Sequence, residues 1–162
     1  MNFFKKMDKV LAAFGNVRAL ERKHVDTFTE NKIQNIPGHK IAESTEGQVW
    51  ASFQNLAGYY FLNTTILSHS NIKTAKGSQL VFCDGKSYFV ITSDTEEIRS
   101  DFSNISKCWI TKINYVLNKE QLKNIKRNNI KNIKLIYRKK TLVFFGNLHL
   151  KDLSVLTPRL IQ

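Results

Sequence analysis

The residues best suited to chemistry in this chain are its cations. From Lys119 to Lys140 it reads KEQLKNIKRNNIKNIKLIYRKK, nine Lys or Arg against the single acid Glu120. That segment carries +8 of a formal net charge of +12, so positive charge is concentrated and projects a field an anionic partner would feel. Lys123, Lys126, Arg127, Lys131 and Lys134, with Arg138, Lys139 and Lys140 at an expected turn, are the candidate anion-binding residues. Contacts of this kind to phosphates give salt-dependent, sequence-independent affinity. Lys outnumbers Arg by 19 to 6, which fits loose charge attraction better than bidentate recognition. Tyr137 is the only aromatic within the segment, and its place in an alternating pattern marks it for burial rather than for stacking on bases. The competing reading is a solvated helix face followed by a Lys-rich hairpin edge that resists strand-to-strand aggregation. AT-rich codons also favour Lys, Asn and Ile, which accounts for total charge better than for its clustering.

A second group of side chains is acidic. Asp94, Glu96, Glu97 and Asp101 stand among Ser93, Ser100, Ser103 and Ser106, and Gly77–Ser106 as a whole carries a net −3. Oxygen ligands this dense could hold a hard cation, and paired carboxylates could exchange protons. The spacing lacks the glycine and terminal Glu of an EF-hand loop. A local role is simpler: Asp94 caps a helical turn, Glu97 completes the capping-box spacing, and nearby lysines pair with the other acids. Cys83 and Cys108 fall in expected strands without Cys-x-x-Cys spacing, and buried free cysteine behaves as a small apolar residue. The four histidines, His24, His39, His69 and His149, lack the close pairing of a zinc site. No nucleophile elbow, phosphate-binding loop or His-Glu-x-x-His occurs. These observations point away from an enzyme and imply no metal and no cofactor.

The elements that would position these residues follow from periodicity. Phe3, Met7, Val10, Leu11 and Phe14 recur at helical spacing, with Lys5, Lys6 and Lys9 on the other face. Val17–Gly47 is polar and holds the Pro37-Gly38 turn, so it reads as a connecting region with one short helix. Val49, Phe53 and Leu56 after Thr45-Glu46-Gly47-Gln48 predict a helix to about Ala57, a break near Gly58 and a strand to about Leu67. Leu80–Cys83, Asp84-Gly85 and Ser87–Thr92 predict a tight hairpin, with positive φ at both central residues. Cys108–Val116 is a further strand, whose Trp109, Thr111, Ile113 and Tyr115 face the core. Asn118 and Gln121 have capping-box spacing and Leu117 and Leu122 the staple positions, so a helix should run about Lys119–Arg127. Ile133, Leu135 and Tyr137 then alternate with Lys134, Ile136 and Arg138 as a strand, Lys139-Lys140 turns the chain, and Thr141–Phe145 returns. Leu150, Leu153 and Leu156 suggest a short final helix.

Hairpins flanked by helices, with no β-α-β alternation, predict an α+β domain. Its single antiparallel or mostly antiparallel sheet has about five or six strands and a few peripheral helices. Residues 1–45 form an N-terminal helical appendage and connecting region, and residues 46–162 the α+β core. Two cysteines do not make a disulfide framework, and the apolar run Val10–Phe14 is too short for a signal peptide. No run approaches the roughly 20 apolar residues of a membrane span, so the expected location is the cytoplasm and a membrane is a poor partner. The functional expectation is a non-enzymatic binding or scaffold module whose clustered basic surface meets an anionic partner, nucleic acid or an acidic protein face. The alternatives are a protein-interaction or self-association module using the N-terminal helix, with another protein or a second copy of the chain as partner, and a small metal-dependent enzyme built on the acidic loop at 94–101.

Overall fold

A computed structural model describes residues 27–127, 129–148 and 155–156. A short helix, α1 (27–34), precedes a meander of β1 (His39–Ser44), β2 (Gly47–Leu56) and β3 (Tyr59–Ser68). Then come β4 (Gln79–Cys83), β5 (Tyr88–Thr92), β6 (Ser100–Ser103), β7 (Cys108–Leu117), helix α2 (Lys119–Arg127), β8 (Ile130–Tyr137) and β9 (Lys140–Leu148). The order β5-β4-β8-β9-β1-β2-β3-β7-β6 makes one antiparallel sheet, and β10 (Val155–Leu156) adds in parallel to β2. The sheet curls into a half-barrel, bringing its ends close enough for the Asp94 N–H to bond the Asn114 carbonyl at 2.8 Å. The expected α+β fold of five or six strands is therefore corrected to a mostly β fold of nine, with two short helices among the described residues.

Three misread segments explain the difference. Residues 47–56 are strand β2, not a helix. Val49, Ala51 and Phe53 point inward at period two, but Ala51 is small and the outward Trp50 is apolar, so Val49 and Phe53 alone mimic a helical step. The break at Ala57-Gly58 is a two-residue hairpin turn with both residues at positive φ, joining Leu56 to Tyr59. β1 lay hidden in the polar connecting region because only Ile41 and Ala42 of its six residues are buried. The helical turn expected at Asp94 is absent: residues 93–99 run alongside 74–78 through the Thr74–Ile98 bridge and lead into β6. Serine hydroxyls supply partners there that a helix would supply internally: Ser100 Oγ joins Ile72, and Ser93 Oγ accepts from Ser78 N–H.

Other expectations stand. α2 spans Lys119–Arg127. Asn118 Oδ1 accepts from Gln121 N–H at 2.7 Å, and Gln121 Oε1 accepts from Asn118 N–H at 2.9 Å, a reciprocal capping box. Leu122 packs against the core beside the fully buried Ile125. The inward faces of β7 and β8 are as read, with Ile110 buried as well. In the β4–β5 hairpin Gly85, at φ 98°, is the only residue of the loop at positive φ, so the glycine is the first central residue of the turn and not the second. The β8–β9 turn is Arg138-Lys139, one residue earlier than expected, since Lys140 already pairs with Tyr137. Val155 and Leu156 pair with β2 as a strand, while the remainder of the expected final helix and the whole N-terminal helix lie outside the described residues. The boundary drawn after residue 45 falls in the β1–β2 turn.

The concave face holds the core. Ile133, Leu135, Phe144, Leu80, Phe82, Val49, Phe53, Leu62, Ile66, Ile113 and Tyr115 are essentially inaccessible, and Phe82 stacks on Phe89 at 4.9 Å. Each such side chain contributes about 1.5–3 kcal/mol of burial free energy. The seam between the two halves of the sheet is thin: Glu43–Phe145 is the single paired position of β1 and β9. There Gly146 lies against β1 so closely that a Cβ would overlap the Ile41 carbonyl oxygen.

Candidate functional site

The half-barrel has two ends. One carries α2, the β2–β3 turn and the β4–β5 turn; the other carries the Thr45-Glu46 turn, residues 69–78 and 93–99, and the Arg138-Lys139 turn. The cations of Lys119–Lys140 divide between them. Lys123 and Lys126 lie on α2, with Lys126 Nζ 5.9 Å from the centre of the Phe53 ring. Arg127 ends the same helix. Lys131 opens β8, and its side chain lies across the β4–β5 turn at Gly85. Lys134 is half-buried at mid-strand, flanked by Val81 and Val143. Arg138, Lys139 and Lys140 stand at the opposite end, some eight residues of strand or roughly 25 Å from Lys131. The one block of charge in sequence is thus dispersed along β8.

At that far end an open groove of about 950 Å³ is lined by Lys73, Thr74, Ala75, Lys76, Glu97, Arg99, Arg138, Lys139 and Lys140. Three segments build it. Residues 72–78 and 93–100 form a two-stranded ribbon, held by Thr74 and Ile98 exchanging both backbone bonds (3.0 and 2.9 Å) and by Gly77 N–H to the Glu96 carbonyl at 2.7 Å. Thr74 and Ile98 are buried, so their neighbours project outward, and the bridge sets Lys73 beside Arg99 and Ala75 beside Glu97. The Arg138–Lys140 tip of the β8–β9 hairpin supplies the third segment. Arg138 holds φ at 54°, a left-handed conformation that costs a non-glycine residue about 1–2 kcal/mol.

The groove therefore gathers six cations against one acid. Arg99 donates from Nε to Glu97 Oε1 at 2.8 Å and from a terminal nitrogen to the same oxygen. Among the described residues, Lys73, Lys76, Arg138, Lys139 and Lys140 have no acidic partner. Sequence reasoning found Arg138–Lys140 but missed Lys73, Lys76 and Arg99, which lie more than thirty residues away along the chain. Isolated cations in loops carry no signal until the bridge aligns them.

The other candidates are placed differently. Glu97 pairs with Arg99, and Asp101 accepts from Lys32 of α1 at 3.0 Å. Among the described residues no three His, Cys, Asp or Glu side chains stand together as a metal site would require. Ser103 and Ser106 donate to the Glu30 carboxylate at 2.7–2.8 Å, tying α1 to the β6–β7 turn. The bond from Ser103, assisted by Ser106, holds Glu30 below the usual carboxylate range against the opposing effect of burial. Cys83 on β4 and Cys108 on β7 are unpaired and on strands that are not neighbours, and burial together with nearby Glu30 pushes the Cys108 thiol up. No helix of the described residues is long and apolar enough to cross a membrane. No protein family, curated protein or solved structure matches the chain.

Proposed function

We propose that this protein is a non-enzymatic binding module that holds the phosphate backbone of a nucleic acid in its basic groove. The observation that supports this reading is the convergence of six cations from three separate segments on one open cleft, five of them without an acidic partner among the described residues. The Thr74–Ile98 bridge sets Lys73 beside Arg99, two cations that one polyanion can span. The volume is at the upper end for small-ligand sites, yet the groove is open and lined by charge rather than enclosed and apolar. A chain passing through suits it better than an engulfed metabolite. An acidic protein face is the weaker partner, because the lining offers no large apolar anchor of the kind that carries protein–protein affinity. No aromatic lines the groove either, so binding is to backbone and independent of sequence. Cytoplasmic residence belongs to the same proposal, consistent with the two unpaired thiols. The test is titration of mixed-sequence RNA and DNA, single- and double-stranded, at two salt concentrations. No association even at low salt would remove this function.

Self-association is a second reading with its own observation. The outer-face row Tyr88–Cys83–Asn132–Phe145 leaves Tyr88 at 73% and Phe145 at 63% exposure. Sedimentation equilibrium over a wide concentration range checks it, and a monomer throughout removes it.

A further inference from the structure

We propose that Glu97 is a built-in competitor for the groove's ligand: it occupies Arg99 while the groove is empty and yields that guanidinium to a phosphate on binding. This rests on the reading of the groove as a phosphate site. Glu97 is the only acid in the lining, and both Arg99 contacts fall on one of its oxygens. The two residues are i and i+2 on an extended segment, so both side chains project to the same side as Lys73. Their side chains are 65% and 71% exposed, and ion pairs that exposed are weak and salt-screened, so exchanging the carboxylate for a ligand phosphate is easy. Arg99 is the groove's one guanidinium on the ribbon wall, facing the Arg138 tip, and a guanidinium binds phosphate through two parallel N–H bonds where Lys offers a point charge. The pairing also screens Arg99 from Lys73 when no anion is present. The groove thus presents five cations to weak monoanions and six to a polyanion able to displace Glu97.

The test is Glu97→Gln, alone and combined with Arg99→Ala, in the full chain, read by fluorescence anisotropy with mixed-sequence single-stranded RNA. Glu97→Gln is expected to tighten binding. Because Arg99 meets a phosphate in both proteins, the salt slope should change by less than the roughly 0.7 of one phosphate contact, and the gain should appear at both low and high salt. In the Arg99→Ala background the gain should shrink by at least half, because no guanidinium remains to be released. Equal gains in both backgrounds would mean Glu97 acts as general repulsion, and an unchanged affinity in Glu97→Gln would overturn the proposal outright. Absence of RNA binding by the unaltered protein would instead fail the function on which the inference rests. Circular dichroism of each variant reports folding, and both positions are exposed in an irregular segment.

Discussion

Replacing Lys139 and Lys140 by alanine removes two of the five unpaired cations of the groove while leaving the core untouched, since both side chains are exposed. Arg138 is left in place because its φ of 54° makes any substitution there a backbone change as well as a charge change. For single strands each neutralised phosphate contributes about 0.7 to the slope of log affinity against log salt. With Arg99 released to the ligand, six contacts give a slope of about −4.2 and four give about −2.8. Between 50 and 200 mM salt the unaltered protein should lose about 340-fold in affinity and the variant about 50-fold. Anisotropy titrations at four salt concentrations measure both slopes. Lys123→Ala with Lys126→Ala serves as the comparison: these residues sit on α2 at the other end of the half-barrel, and their loss should leave the slope at about −4.2. An unchanged slope in the Lys139/Lys140 variant, or an equal fall in the α2 variant, would show that contacts spread over the whole basic surface and that the groove is not the site.

Two buried tyrosines should respond oppositely to loss of the hydroxyl. Tyr137 Oη is buried with no hydrogen-bond partner among the described residues, so Tyr137→Phe should stabilise by about 1 kcal/mol in urea unfolding. Tyr115 Oη shares a 3.3 Å bond with Ser78 Oγ, and burial pushes its pKa up to about 12, so Tyr115→Phe should cost about 1 kcal/mol. In the β4–β5 turn, Asp84 Oδ1 accepts from Ser87 and Lys86 N–H, and these bonds lower its pKa from 3.8 to about 2. A carboxylate depressed in the folded state stabilises above its unfolded pKa, so that contribution is lost as pH falls from about 4 to about 2. Glu30 adds a second component in the same direction, so unfolding free energy measured over this range should retain only part of its slope in Asp84→Asn. Gly146→Ala would force a Cβ into the Ile41 carbonyl at the β1–β9 seam, and thermal unfolding should show a loss far larger than for an exposed strand position.

The elements carrying complete local signals were legible. The α2 capping box, the alternation of β7 and β8 and the β4–β5 hairpin each depend on residues within a few positions of one another, and each is present. β2 was not legible as a strand. Its inward residues include a small alanine and its outward ones a tryptophan, so period two and a helical step fit equally well until β1 and β3 pair on either side. β6 was hidden because only Ser103 of its four residues is buried, and that hydroxyl bonds Glu30, which stands more than seventy residues earlier.

The sequence by itself determined that this chain is basic, that its charge is clustered, and where the α2 cap and the β4–β5 and β8–β9 hairpins fall, because each is a matter of composition or of bonds closed between near neighbours. Only the tertiary structure decided which cations act together. β8 carries Lys131 and Arg138 to opposite ends of the half-barrel, while the Thr74–Ile98 bridge brings Lys73, Lys76 and Arg99 around the Arg138–Lys140 tip. A strand separates neighbours in sequence by about 3.3 Å per residue, and a curled sheet returns distant segments to contact. Charge proximity is therefore a property of strand order, which no local pattern encodes.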